Sequence, residues 1–243
     1  MDTWRFLVES PCNEFRVVLL DLKGHGYSGR PHDSRYSLQD HADVVMGIIE
    51  HLELTNVVLV GHSLGSGVAL LAALKDHNRP CHLVSGLVLI GGAAYPVHLR
   101  LLIRWLSMPV IGWLAMKLTS ASFRTRLGLR GAFYNNAAVT DSLVELYAKY
   151  QRMPGTDYAL LKTAERFIPP DIDSVRQEYR KLQIPVVNVL GEYDRIISRS
   201  TAEGLCKLLP RCGLVMVEGV GHIPQEERRD EIVHLIKTFM HDL

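Results

Sequence analysis

Long hydrophobic runs are missing from this sequence, and so are the signals that usually accompany them. No stretch of about 18 or more consecutive apolar residues occurs, so we expect no transmembrane helix. The first residues contain no apolar segment of the kind that a secretory signal peptide needs. No internal repeat and no low-complexity segment is visible either, and the composition is that of a globular chain.

Cysteine and net charge are also scarce, which limits the chemistry that the chain can support. The four cysteines form neither a CxxC pair nor zinc-ligand spacing, so we expect reduced, mostly buried thiols, no metal site and a cytoplasmic protein. The net charge of +1 gives no indication of a nucleic-acid partner. A glycine-rich stretch at 24–31 matches neither the Walker nor the GxGxxG spacing, so we interpret it as a tight loop rather than a phosphate cradle and expect no cofactor.

The apolar residues that are present follow two different periods, which predicts an α/β fold. The chain has 243 residues, 47% of them hydrophobic, which fits one large α/β domain with or without an insertion. Short apolar runs alternate with segments of helical periodicity, as in a mostly parallel sheet with helices on both faces. The predicted strands span residues 15–21, 57–60, 86–92, 184–191 and 213–218. The ranges 86–92 and 184–191 include the glycine at which the following turn begins.

Between residues 95 and 182 this alternation stops, and only helical periodicity remains. A helical insertion of this size between strands would lie as a cap over the strand ends. We therefore expect three parts: a first core segment at 1–94, a helical cap at 95–182 and a second core segment at 183–243.

Aromatic and basic residues of the predicted cap suggest what it contacts. Trp105 and Trp113 are candidates for lining a substrate pocket, although packing between cap and core explains either of them equally well. Arg100 and Arg104 lie on an amphipathic segment, so weak contact with a membrane surface is a further alternative.

A strand–turn–helix at residues 57–74 carries the most distinctive motif. The apolar run ends in Gly-His-Ser-Leu-Gly, and an alanine- and leucine-rich helical pattern follows at once. Such a bend imposes an unusual backbone on Ser63 and crowds the chain, which we expect only glycine to tolerate at Gly61 and Gly65. Ser63 is the candidate nucleophile, and the N–H of Leu64 at the helix N-terminus would face any oxyanion formed there. The alternative is an ordinary βα turn.

A serine hydroxyl needs a base, and the ends of two later strands provide the candidates. The base must take the serine proton, and a carboxylate must orient the base. Asp194 and His222 follow the last two predicted strands, each in a short glycine-containing loop. Because parallel strands bring their carboxyl ends to one edge, Ser63, Asp194 and His222 form the predicted triad. Glu192 is the competing acid, and His62, whose side chain should point away from the serine, is interpreted as structural.

Together these features resemble the α/β-hydrolase superfamily. The matching parts are Gly-His-Ser-Leu-Gly at 61–65, Gly-Glu-Tyr-Asp at 191–194, Gly-Val-Gly-His at 219–222 and Asp-Leu-Lys-Gly-His-Gly-Tyr-Ser-Gly at 21–29. The resemblance implies attack by Ser63 on a carbonyl, an acyl-enzyme, and its hydrolysis by water that His222 activates. A serine nucleophile argues against the epoxide-hydrolase and haloalkane-dehalogenase branches, which use aspartate. His62 stands where carbon–carbon-bond hydrolases often have asparagine, so the resemblance favours a small apolar carboxylic ester, with carbon–carbon-bond hydrolysis as an alternative.

The resemblance also implies parts that this sequence does not contain. The superfamily normally begins with three more strands, and the third ends in a His-Gly whose following loop supplies a second oxyanion N–H. Trp4 fits the tryptophan that commonly follows that loop, so we expect an N-terminally truncated fold that is poorly active and prone to aggregate. A non-catalytic α/β-hydrolase-like protein with an incomplete oxyanion hole is therefore the second hypothesis.

Overall fold

A parallel sheet of four strands lies at the centre of the chain. The computed structural model describes residues 2–9, 14–93, 109–169 and 171–243. The strands are β1 (Val57–His62), β2 (Val84–Ile90), β3 (Val186–Gly191) and β4 (Cys212–Val217). All three pairings are parallel, and the strands lie in the sheet in their order along the chain. The α/β fold and the last four predicted strands are thereby confirmed.

The predicted strand at 15–21 is wrong. Residues 16–22 have no regular secondary structure, and the side chains of Val17 and Val18 are 41% and 43% exposed. A strand needs a neighbour that accepts and donates its backbone hydrogen bonds. Within the described residues β1 pairs with β2 alone, so no strand of the sheet lies beside this apolar run.

Helices connect the strands and cover both faces of the sheet. They are α1 (Arg5–Glu9), α2 (Leu38–His51), α3 (Leu64–His77), α4 (Pro109–Leu118), α5 (Ala121–Ala132), α6 (Asp141–Gln151), α7 (Thr156–Glu165), α8 (Ile172–Glu178), α9 (Arg199–Cys206), α10 (Pro224–Glu227) and α11 (Arg229–His241). Short 3₁₀ turns lie at Asp2–Trp4, Asn136–Ala138 and Tyr179–Lys181. The connections are of the kind that parallel neighbours require, since each passes through at least one helix.

The alternation of side chains along β2 shows how the two layers of helices are divided. Leu87 and Leu89 are fully buried in the cluster that contains the apolar residues of α2 and α3. Val88 and Ile90 point to the opposite face, which α1 and α11 cover. Ile232 of α11 is nearly fully buried in this cluster. A strand covered on both faces must be apolar throughout, which is why β2 lacks the polar alternation of a surface strand.

The insertion between β2 and β3 is helical over its described residues. It contains α4 to α8, and α5 and α6 pack together around Leu129, Phe133 and Val144. The predicted helix at 158–167 is present as α7, which begins two residues earlier. Residues 94–108 lie outside the described part of the chain, and with them Arg100, Arg104 and Trp105.

Two of the cysteines differ from the expectation of reduced, buried thiols. The end of α9 and the start of β4 bring Cys206 and Cys212 together, with their Cα atoms 5.0 Å apart, and the two form a disulfide. Cys81 is a free and exposed thiol, and Cys12 lies outside the described residues. In the part of the chain that the structure describes, no helix combines the length and the apolar character needed to cross a bilayer.

The turn from β1 into α3 has the strained backbone that its sequence predicts. Ser63 has φ 53° and ψ −114°, a left-handed conformation that is unusual for a residue with a side chain. A Cβ on Gly61 would lie 2.3 Å from the carbonyl oxygen of Gly65, so Gly61 must be glycine. Among the described residues, a Cβ on Gly65 would meet no atom within 4 Å apart from its chain neighbours and the backbone of its own helix, so the expected crowding there is wrong.

The two glycines therefore form a matched pair for mutation. We expect Gly61→Ala to lower the free energy of unfolding by about 3 kcal/mol or more, because backbone atoms have to move apart. Gly65→Ala should leave that free energy unchanged or raise it by up to about 1 kcal/mol, since alanine is the better helix former. Urea denaturation followed by circular dichroism measures both. Equal losses for the two variants would contradict this account of the turn.

Helix α2 buries the side chain of a histidine, His41. His41 is 1% exposed, and neither ring nitrogen has a partner among the described residues. Burial, helped by the nearby His25, lowers the pKa of His41 to about 4. Between that value and the ordinary histidine pKa of about 6.5 the unfolded chain binds the proton and the folded chain does not. The stabilisation is thus complete above about pH 6.5 and is lost as the pH falls from there towards about 4.

This linkage predicts how a variant responds to acid. Relative to the wild type, we expect His41→Phe to lose about 2 kcal/mol less of its free energy of unfolding between about pH 7.5 and about pH 5. Urea denaturation at the two pH values, with the unsubstituted chain as control, gives the difference. An identical loss in both proteins would mean that His41 does not resist protonation in the folded chain.

Candidate active site

Ser63 stands between the last residue of β1 and the first turn of α3. Its N–H donates to the carbonyl of Ile90 at 2.9 Å, which ties the turn to the neighbouring strand. The buried hydroxyl of Ser66 donates to the carbonyl of Gly61 at 2.8 Å and supports the turn from inside. Helix α3 begins at Leu64, so the N–H of Leu64 belongs to the first turn, whose amides have no acceptor within the helix.

The loops that follow β3 and β4 bring Asp194 and His222 together. The Nδ1 atom of His222 lies 2.8 Å from Oδ2 of Asp194, and the two side chains are 4% and 1% exposed. The other oxygen of Asp194 accepts N–H groups from Ile196 at 2.7 Å and Ile197 at 2.8 Å. A buried carboxylate needs such donors, because an ion that leaves water without them is strongly destabilised.

The competing acid lies elsewhere. Glu192 is exposed, and its carboxylate accepts the N–H of Gly219 at 3.1 Å. Its partner is therefore a loop amide, whereas the ring of His222 has Asp194 as its carboxylate partner. The acid in the loop after β3 and the histidine in the loop after β4 therefore meet as their positions along the chain predict.

The backbone of His222 is held from both sides. Its N–H donates to the carbonyl of Ala132 at the end of α5, with 2.6 Å between nitrogen and oxygen. Its carbonyl lies 2.8 Å from Nε2 of His62. Burial, together with the neighbouring His222, lowers the pKa of His62 to about 3, so that ring is neutral. Sequence reasoning interpreted His62 as structural and did not find this contact.

Two residues of the site escaped sequence reasoning because their roles depend on distant contacts. Gly91 has φ +60°, and a Cβ there would lie 2.8 Å from the ring of His222. Asn188, fully buried in β3, accepts the N–H of Gly92 and donates to its carbonyl, which holds the end of β2. An asparagine within an otherwise apolar strand was the available signal for the second residue.

Ser63 and His222 line one cavity of about 370 Å³. The other lining residues are mostly apolar and come from both core segments and the insertion: His25, Leu38, His62, Leu64, Gly67, Gly91, Ala93, Leu160, Thr163, Ala164, Phe167, Tyr179, Ile196 and Ile197. Among the described residues neither lysine nor arginine lines this cavity. The described wall of the cavity is therefore mostly apolar, as in many small-molecule sites.

The prediction that two tryptophans line the substrate pocket is wrong for Trp113, and Trp105 lies outside the described residues. Trp113 on α4 is 54% exposed and does not line the cavity, because its side of α4 faces solvent. The insertion contributes Leu160 and Phe167 instead, from α7 and the residues after it.

His25 is a polar residue of the cavity wall that the glycine-rich loop places there. Its Nδ1 lies 3.2 Å from the carbonyl of Lys23, and burial lowers the pKa of the ring. A neutral ring that donates from Nδ1 leaves Nε2 as an acceptor. Within the described residues no group of three or more histidine, cysteine or acidic side chains is arranged to hold a metal ion.

Comparison with known proteins agrees with the fold. The family described as alpha/beta hydrolase fold matches residues 1–229. The 2-hydroxymuconate semialdehyde hydrolase of Pseudomonas putida is 28% identical over 233 residues, which is 93% of this chain and 76% of that protein. A meta-cleavage product hydrolase from Pseudomonas fluorescens has a TM-score of 0.80 at 23% identity, covering 99% of this chain and 85% of its own.

An esterase from Exiguobacterium antarcticum is just as similar in structure, with a TM-score of 0.80 at 20% identity over 99% of this chain and 87% of its own. At such identities the two solved structures show the fold alone, and their differing activities do not decide the substrate. The family match is of another kind, since it extends over almost the whole sequence. This chain belongs to the α/β hydrolase fold family.

Proposed function

We propose that this chain is a serine hydrolase that cleaves small apolar carboxylic esters through an acyl-enzyme. The observation that supports it best is the buried pair of Asp194 and His222, whose histidine lines the same cavity as Ser63. A serine at a strained turn, a histidine and an orienting carboxylate are the parts that acyl transfer needs.

In the first half of the reaction Ser63 Oγ attacks the ester carbonyl and passes its proton to Nε2 of His222. Asp194 accepts the Nδ1–H of the imidazole, so that Nε2 is left free to take the proton and the charged ring is stabilised. The protonated ring then gives its proton to the departing alcohol. The product of this half is an acyl group on Ser63 and a free alcohol.

The second half repeats these steps with water. His222 removes a proton from water, the hydroxide attacks the acyl carbonyl, and the carboxylic acid leaves as Ser63 regains its proton. In each half the carbonyl oxygen becomes negative, and the N–H of Leu64 at the start of α3 is the donor that we assign to it. The dipole of α3 supports the same charge.

The helical segment at 95–182 serves in this proposal as a cap that selects the substrate. Its described residues Leu160, Thr163, Ala164 and Phe167 form part of the cavity wall. Apolar side chains exclude water and favour an apolar acyl or alcohol group. Residues 1–94 and 183–243 supply the proposed nucleophile, acid and base.

Carbon–carbon-bond hydrolysis is the second candidate, and the name of the Pseudomonas putida relative favours it. A muconate semialdehyde carries a carboxylate, which would have to leave water on binding. In the described lining the only basic side chains are histidines, among them His62, whose ring is neutral, and His25, whose pKa burial lowers. An unpaired carboxylate is unfavourable in such a cavity, so we place the neutral ester first.

Two further parts of the proposal concern the surroundings of the enzyme. Phe123 and Leu127 are exposed on α5 beside Arg130, which supports weak contact with a membrane surface. A cytoplasmic location stays a prediction, and the disulfide between Cys206 and Cys212 weakens the cysteine argument for it.

The proposed triad predicts a distinct set of mutant activities. Ser63→Ala should abolish covalent labelling by a fluorophosphonate and lower kcat by up to about 10⁶-fold. Asp194→Asn should lower kcat by up to about 10⁴-fold, because the amide holds His222 in the wrong tautomer. Glu192→Gln is the matched control and should remain near wild type. Labelling of another serine, or a silent Asp194→Asn beside an inactive Glu192→Gln, would refute the assignment.

The substrate class is tested by comparing p-nitrophenyl butyrate with a vinylogous 1,5-diketone that bears a carboxylate. We expect kcat/KM for the ester to be about 100-fold higher or more, since the described wall of the cavity offers the acid neither lysine nor arginine. Leu160→Arg places a cation in the wall and should narrow that difference. Faster cleavage of the diketone by the unsubstituted chain would establish the second candidate instead. No turnover of either substrate, with Ser63 unlabelled, would favour a non-catalytic protein.

A further inference from the structure

A hydrogen bond connects the backbone of the proposed base, His222, to His62, the neighbour of the proposed nucleophile. The His62 side chain takes no part in the chemistry described above. His62 is the residue directly before Ser63, and its Nε2 atom lies 2.8 Å from the carbonyl oxygen of His222. The two imidazole rings are neighbours, with their centroids 4.9 Å apart and their planes at 49°. One hydrogen bond thus joins the end of β1 to the loop after β4, across β2 and β3.

The chemistry of the two atoms determines the direction of this hydrogen bond. A carbonyl oxygen can only accept, so Nε2 of His62 must carry the proton and donate it. The ring is neutral, because burial and the neighbouring His222 keep its pKa near 3. The donor therefore stays in place throughout the pH range in which a histidine base is active.

We propose that His62 is a positioning residue. Its Nε2–H holds the backbone of His222 in place and so sets the distance between the His222 ring and Ser63. This inference rests on the proposed function, in which His222 is the base. Asp194 controls the rotation and tautomer of the His222 ring, and Ala132 holds the N–H of the same residue at 2.6 Å. His62 supplies the remaining restraint, on the carbonyl side.

A restraint on position acts on turnover more than on binding. Proton transfer requires hydrogen-bond distance between Ser63 Oγ and His222 Nε2, and a displacement of about 1 Å can lower the rate about 100-fold. Substrate affinity depends on the cavity wall as a whole, of which His62 and His222 are two residues among many, and methionine at position 62 keeps that part of the wall apolar. Loss of the restraint should therefore lower kcat while KM changes little.

The experiment compares two substitutions of similar size at one position. His62→Met removes the donor and keeps an apolar side chain of comparable volume, whereas His62→Gln keeps an amide N–H that can reach the same carbonyl. His41→Met is the control for loss of a buried histidine, because His41 has no partner among the described residues and does not line the cavity. All three are assayed on the full chain with p-nitrophenyl butyrate.

We expect His62→Met to lower kcat by about 10- to 100-fold with KM within about threefold of wild type. His62→Gln should recover kcat to within about threefold, and His41→Met should leave kcat unchanged. A folded His62→Met with wild-type kcat would overturn the inference. The inference would also be overturned if His62→Gln lowered kcat as much as His62→Met, because an N–H donor alone would then not replace the imidazole.

A spectroscopic measurement keeps this inference separate from the proposed function. The proton shared by Nδ1 of His222 and Asp194 gives a far-downfield NMR signal, visible only while exchange with water is slow. Loosening the His222 backbone in His62→Met should broaden that signal, and His62→Gln should restore it. An unchanged signal in His62→Met would overturn the positioning role, even if Ser63 proves unreactive and the proposed function fails.

Discussion

The strained bend at Ser63 is the constraint on which the rest of the site depends. Its φ of 53° is tolerated because the surrounding structure holds it in place, through the carbonyl of Ile90 and the buried hydroxyl of Ser66. Gly61 allows α3 to begin within one residue of the end of β1. The bend places Ser63 and Leu64, the first residue of α3, on the wall of the cavity that His222 also lines.

Around this bend the structure arranges groups that are far apart in the sequence. The parallel sheet brings the loops after β3 and β4 to its carboxyl edge, where Asp194 and His222 meet. Burial of both groups strengthens their interaction but makes each dependent on its partners. The amides of Ile196 and Ile197 satisfy the carboxylate oxygen that the histidine does not use.

One carboxylate connects the helical insertion to the loop after β4 that carries His222. Glu227 accepts the N–H of Gly221 at 2.7 Å with one oxygen and the N–H of Tyr134 at 3.0 Å with the other. The carbonyl of Ala132 accepts the N–H of His222 in the same region. The end of α5 and the residues that follow it are thereby fastened to the loop that carries the proposed base.

Much of this arrangement could be predicted because it follows from local pattern. Apolar runs that end in glycine-containing turns predicted four strands correctly, and Ser37 caps α2 as its position before a helical pattern predicts. The serine motif predicted the bend, because a strand that turns directly into a helix must bend sharply at the serine. The prediction for residues 15–21 failed because a strand also requires a neighbour, which periodicity does not reveal.

The sequence by itself determined the α/β class, the identity of the candidate triad and the place of the helical insertion, since these depend on spacing along the chain. Only the tertiary structure decided that the Asp194 and His222 side chains lie within hydrogen-bond distance, that Trp113 faces solvent, and that His62 bonds to the carbonyl of the proposed base. Each of these depends on which groups come within about 3 Å of one another across the fold. Such distances are set by the packing of several elements at once, and no single segment of sequence encodes them.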